Sequence, residues 1–244
     1  MKNTQIDYGN NRNISDFPHD SLAEQEQAIK NTYLRLGRNV PGILYEPVTP
    51  SENSQIAILV MHSDGDYLTF PMGSEMAKRG YRVLCANVRD KNNSLDAKIL
   101  DAKLAVEYLR KYPGVKKVVL MGHSGGGTLM SAYQSIAENG VNIFQDTEKL
   151  VKCSDELADL PYADGIMLID SNFGNAAMML FSLDPAVTNE GNGQTLDPEL
   201  NLFNPANGFN PNGSAFSNEF IRKFQQAQGE RNNRLIRTAL ERLW

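Results

Sequence analysis

Several things are scarce in this sequence, and each scarcity removes a class of function. Only two cysteines occur in 244 residues, Cys85 and Cys153, far apart and without metal-ligand spacing. They read as free thiols of a reducing compartment, so neither a disulfide framework nor a zinc site is expected. Positive charge is not in excess: the formal net charge is -5, without the basic field that phosphate backbones demand, so a nucleic-acid partner is not expected. No apolar run approaches the roughly 18–20 residues that span a bilayer. The N-terminal stretch MKNTQIDYGNNRNISDF has one lysine and no apolar core, so it is not a secretory signal. The chain reads as cytosolic and off the membrane, with secretion by a route that leaves no N-terminal mark as the alternative.

What is present is the composition of an ordinary globular protein, 41% hydrophobic and 22% charged. A chain of this length buries roughly 70% of its unfolded surface without a metal or disulfide staple. Residues 1–39 read as a polar, Asn-rich arm followed by a helix over DSLAEQEQAIKNTYLRLG (20–37): Ser21 and Glu24 fit a capping box, and Gly37 fits a C-cap.

Residues 40–170 alternate between short apolar runs and amphipathic segments. Strands are expected at GILYEP, IAILVMH, YRVLCANV, KVVLMG and ADGIMLID, with helices over 70–80, 94–112 and 126–139. Such alternation implies an α/β fold, a mostly parallel central sheet with helices on both faces. After Asp170 the text changes. Residues 171–215 are dense in Asn, Gly and Pro and read as an irregular insert, and 217–244 read as a helix with a solvated, arginine-rich face.

The densest motif is GHSGGG, 122–127, between the apolar run VVLM and the helical run GTLMSAYQSIAEN. G-x-S-x-G in a strand–turn–helix context is a nucleophile elbow. The sharp turn lifts the serine hydroxyl clear of the sheet, and the flanking glycines let the backbones pass. A P-loop needs Lys after the glycines, where Thr128 follows Gly127, and a dinucleotide fingerprint needs Gly where Ser124 stands. Ser124 is therefore the candidate nucleophile. The amide of Gly125, at the helix start, is one candidate oxyanion donor, and the amide of Ser63 or Asp64, in the loop after IAILVM, is the other.

With HSDGDY (62–67), ANVRD (86–90), GHSGGG and ADGIMLIDSNFG (163–174) in this order, followed by SLDPAV and NPANGF, residues 40–244 resemble an α/β-hydrolase of the bacterial esterase-like kind. The resemblance implies an acyl-enzyme mechanism on a small carboxylic ester, no cofactor and no metal. It implies that 171–244 form a lid-like region in which Phe173, Met178, Met179 and Phe181 line an acyl pocket or serve as ordinary packing. It also implies a triad acid and histidine after the nucleophile. The three histidines are His19, His62 and His123, and none follows Ser124.

Three readings of that gap stand side by side. The last strands of the fold are missing from an incomplete chain, which is the favoured one. Alternatively, the chain is a catalytically inactive binding protein. Or it is an enzyme with an unusual base, for which His62, at the end of a central strand, is the candidate; the favoured alternative for His62 is that it braces the oxyanion loop by hydrogen bonding. His123 is expected to point away from the site, and His19 to be idle. Asp170, at the end of ADGIMLID, is either the triad acid or a plain strand-end carboxylate. That strand would then form an apolar sheet edge, which a homodimer would cover.

Overall fold

The structure, a computed structural model, describes residues 28–37, 39–147, 149 and 151–243. The capping box at Ser21 and Glu24, and His19, lie outside these residues. The chain divides into two compact units, the first ending at Asp170 and the second beginning at Ser171.

The first unit is built on a six-stranded sheet: β1 (Ile29–Leu36), β2 (Val40–Pro47), β3 (Ile56–Met61), β4 (Arg82–Ala86), β5 (Lys117–His123) and β6 (Gly165–Ile169). Their spatial order is β1-β2-β4-β3-β5-β6. The pairs β3/β4, β3/β5 and β5/β6 are parallel, while β2 runs antiparallel to both β1 and β4. The helices are α1 (Pro71–Lys78), α2 (Leu95–Lys111) and α3 (Gly125–Asn139). Pro71 opens α1 at its first turn, where its missing N–H costs no intrahelical bond.

Side chains alternate across the sheet, so neighbouring residues of one strand feed different cores. Leu59, Leu84 and Leu120 pack with Ile99 and Val106 of α2 and with Met130 and Tyr133 of α3 on one face. Ile58, Val60, Val83 and Met121 pack with Ala77 of α1 on the other. Both faces of β3 are dry, which explains its continuous apolar run. The sheet is mostly parallel with helices on both faces, as the alternating pattern implies.

One expectation is overturned at the start of the described chain. Residues 29–36 do not continue a helix; they form β1, paired with β2 from Ile29↔Pro47 to Leu36↔Val40. Gly37 and Asn39 both have positive φ (44° and 72°), so Gly37 serves a hairpin turn and not a helix C-cap. The sequence signal is the same, because both jobs need a residue that tolerates left-handed backbone.

β6 forms the far edge of the sheet, and Ile166, Met167 and Leu168 are 39%, 36% and 53% exposed. A buried pair fixes the loop after β4: the Asp101 carboxylate, fully buried on α2, accepts from the Arg89 backbone N–H at 2.8 Å and from its Nε at 2.6 Å.

The second unit is more regular than its Asn- and Gly-rich text suggests. It contains α4 (Asn175–Ser182), a hairpin of β7 (Val187–Asn189) and β8 (Asn192–Leu196), and α5 (Asn218–Leu243). Gln228 of α5 donates to the carbonyls of Phe181 and Leu183, satisfying the C-terminal end of α4. Arg231 pairs with Glu190 at 2.6 Å and donates to the Asp184 carbonyl. Phe173, Met178, Met179 and Phe181 lie before and along α4 and are exposed.

Candidate active site

Ser124 sits between the last residue of β5 and the first of α3, at φ 52° and ψ −123°. A non-glycine residue pays roughly 1–3 kcal/mol to hold such a conformation. The surroundings enforce it. A Cβ on Gly126 would lie 2.2 Å from the Met61 carbonyl oxygen, and one on Gly122 would lie 2.6 Å from the Gly126 carbonyl oxygen and from Gly127 Cα. Real Cβ atoms do not approach backbone that closely, so β5, the turn and α3 can nest against the end of β3 only with glycine at both positions. Ser124 N–H donates to the Ile169 carbonyl of β6 at 3.2 Å, which pins the turn from the other side. The result is a sharp strand–turn–helix that raises Ser124 at the C-terminal ends of three adjacent parallel strands, in a sheet of order β1-β2-β4-β3-β5-β6 with β2 antiparallel. The fold is α/β, a mostly parallel sheet with helices on both faces.

In this α/β core the loop after β3 approaches the turn at Ser124 through His62. The amides of Asp64 and Gly65 donate to its Nδ1, at 3.1 and 2.7 Å, and the Gly125 amide donates to its Nε2 at 3.2 Å. The Asp64 carboxylate also stands 2.7 Å from Nδ1, though its side chain is 59% exposed, and it accepts from the Ser63 hydroxyl. Burial pushes the imidazole below the usual histidine range; Asp64 acts in the opposite direction, and His123 adds to the lowering. The Asp64 amide is thus turned onto the His62 ring. Of the two residues read as the second oxyanion donor, that leaves the Ser63 amide.

Tyr67 joins the two halves of the site. Its ring stacks on His62 (4.8 Å between centroids, 15° between planes), and its hydroxyl lies 2.5 Å from Nδ1 of His123. Phe70 packs against Tyr67 at 4.6 Å and against His123 at 5.2 Å. His123 is therefore held in an aromatic cluster with the loop after β3. The same loop is tied to its neighbours by three further bonds: Tyr67 N–H to Asn87 Oδ1, Asn87 Nδ2 to the Asp66 carboxylate, and Tyr45 hydroxyl to the Leu68 carbonyl. The Asn87 side chain and the Leu68 amide hold the Asp66 carboxyl below its usual range.

The structure places Asp170 directly after β6, whose Ile169 is the register partner of His123. Asp170 and Ser124 thus lie at the same end of adjacent strands, and both have positive φ. Among the described residues no histidine or carboxylate hydrogen-bonds the Ser124 hydroxyl. Nor do three His, Cys, Asp or Glu side chains among them gather as a metal site, and no described helix is long and apolar enough to cross a membrane. Tyr67 and Asn87 are the residues that sequence reasoning missed. Both stand inside the quoted motifs HSDGDY and ANVRD, yet only the adjacency of β3 and β4 brings them together.

No protein-family model matches the sequence, and no curated protein matches it. Among solved structures, the chain is similar to esterase B from Lactobacillus rhamnosis inhibited by a C4-C4 SN3 tributyrin phosphonate. The two are 17% identical, over 60% of this chain and 50% of that one, with a TM-score of 0.46. A C6-C4 SN3 inhibited form of the same esterase matches at 17% identity over 66% of this chain and 55% of that one, TM-score 0.46. A siderophore hydrolase from Aspergillus fumigatus is 15% identical over 58% of this chain and 42% of that one, TM-score 0.40. The chain spans about half the length of the solved structures it matches.

Proposed function

We propose that Ser124 is the nucleophile of a serine hydrolase that forms an acyl-enzyme from a small carboxylic ester. The observation that carries this reading is the backbone of Ser124, a serine held at φ 52° by glycines on both sides that admit no Cβ. A packing turn would be served better by glycine at that position, so the hydroxyl is what the strain retains. In the proposed reaction Ser124 Oγ adds to the ester carbonyl and gives its proton to a base. The carbonyl oxygen, now anionic, lies against the Gly125 and Ser63 amides at the N-terminus of α3. The alcohol leaves, and water releases the acid by the same steps.

The base is not hydrogen-bonded to Ser124 among the residues described. The reading takes it from a segment that would extend the sheet beside the exposed edge of β6, with Asp170 as a candidate acid. A fluorophosphonate probe tests the nucleophile. Stoichiometric labelling that disappears in Ser124→Ala is expected; a folded sample that takes up no label would refute it.

The lack of a described base on Ser124 favours a second reading, a catalytically inactive protein that binds a small molecule beside Ser124. In that case calorimetry with short-chain esters would show binding without turnover, and Ser124→Ala would bind as the parent chain does.

A further inference from the structure

Ser124 is flanked in sequence by two residues whose anchors meet on one side chain. Before it stands His123, whose Nδ1 lies 2.5 Å from the Tyr67 hydroxyl. After it stands Gly125, whose N–H donates to His62 Nε2 at 3.2 Å, and the His62 ring stacks on Tyr67 with 4.8 Å between centroids. Tyr67 is itself fixed. It is buried, Phe70 stacks on it at 4.6 Å, and its backbone N–H donates to Asn87 Oδ1 at 2.7 Å. Gly65 leaves room for the stack, because a Cβ there would stand 3.0 Å from both His62 Nδ1 and Tyr67 Cε2. Burial pushes the phenol above its usual range, so at neutral pH it keeps the proton it shares with His123.

A serine at φ 52° keeps that conformation only while its surroundings hold it there. The Ile169 carbonyl holds the Ser124 N–H from β6. We propose that Tyr67 is a positioning residue for the nucleophile: its hydroxyl through His123, and its ring through His62, clasp both sequence neighbours of Ser124 and fix where the serine hydroxyl stands. The proposal rests on the reading of Ser124 as the nucleophile. Tyr67 acts through other side chains and takes no proton from the substrate. Its effect is on geometry, where a displacement near 1 Å costs about 100-fold in rate.

Two substitutions separate the arms of the clasp. Tyr67→Phe keeps the stack on His62 and removes the bond to His123, whereas Tyr67→Leu removes both. Fluorophosphonate labelling, resolved into reversible binding (KI) and the chemical step (kinact), reads the positioning. In Tyr67→Phe kinact should fall about tenfold while KI stays within about twofold, and in Tyr67→Leu kinact should fall about 100-fold. Because the hydroxyl acts through His123, His123→Phe should lose as much as Tyr67→Phe, and the double variant no more than either. A tyrosine that merely supports the fold would lower Tm and leave kinact of the folded variant unchanged. That result, or losses that multiply in the double variant, overturns the proposal.

Amide hydrogen exchange reads the same clasp without any reaction. The Ser124 amide in Tyr67→Phe, and the Ser124 and Gly125 amides in Tyr67→Leu, should exchange about tenfold faster than in the parent, while the amides of α2 keep their rates. Parent-like exchange at both positions in both variants would sink the clasp. If the parent chain takes up no label at all, the nucleophile reading has failed, while the exchange rates still decide whether Tyr67 holds the turn.

Discussion

Gly126→Ala is the sharpest single-methyl test of the elbow. The added Cβ would meet the Met61 carbonyl oxygen at 2.2 Å and its carbon at 3.2 Å. A carbon–oxygen contact normally lies near 3.3 Å, so about 1 Å of separation must be created. The obstacle is the backbone of β3, dry on both faces and paired on both sides, so it cannot rotate away as a side-chain tip would. Overpacking of a core typically costs 1–3 kcal/mol, and a backbone obstacle puts this change at about 3 kcal/mol. For a chain of this size that corresponds to a fall of roughly 6–12 °C in Tm. Gly165→Ala is the control, because its Cβ would find only Val119 Cγ2 at 3.8 Å and its Tm should barely move. Differential scanning calorimetry of both variants beside the parent decides. If Gly126→Ala melts within 1 °C of the parent, the packing of the turn against β3 is not as described, and the case for an enforced serine conformation falls with it.

Asp101→Ala leaves the Arg89 guanidinium and amide without their buried carboxylate, and should cost about 3–5 kcal/mol in urea unfolding; a loss under 1 kcal/mol would mean that the loop after β4 is held by something else. Burial pushes the Cys85 thiol up to about 12, so iodoacetamide at pH 8 should modify Cys153 in the native protein and reach Cys85 only after unfolding; fast native modification of both would contradict the buried assignment. The His62 pKa is lowered on folding, so between the folded value and the unfolded one near 6.5 the unfolded chain binds the extra proton. Its contribution is full above about pH 6.5 and is lost as pH falls through the lowered value. The parent should therefore lose more Tm than His62→Gln between pH 7 and pH 5, and parallel acid losses would refute this account.

How much of this was legible in the sequence depends on how local each signal is. The elbow could be read because its grammar lies within a dozen residues: VVLM, a glycine, the serine, three glycines, a helix. The buried strand β3 was equally plain, since a strand dry on both faces leaves no polar position. Gly37 misled because its positive φ serves hairpins and helix ends alike; what decided was the antiparallel pairing of Ile29–Leu36 with β2, a tertiary fact. The helix α4 was hidden by averaging, eight residues of NAAMMLFS inside a stretch dominated by Asn, Gly and Pro. Tyr67 and Asn87 could not be assigned for a third reason. Their bonds join the loops after β3 and β4 and the last residue of β5, segments separated in sequence by whole crossovers.

The strained conformation of Ser124 has a consequence for how this protein balances durability against activity. Glycine at that position would meet the same backbone angles without a Cβ, so Ser124→Gly should be more stable than the parent by about 1–3 kcal/mol and chemically silent. Alanine would be silent without that gain. A chain selected only to stay folded would profit from giving up this hydroxyl; one that keeps it holds part of its stability in reserve for the proposed nucleophile.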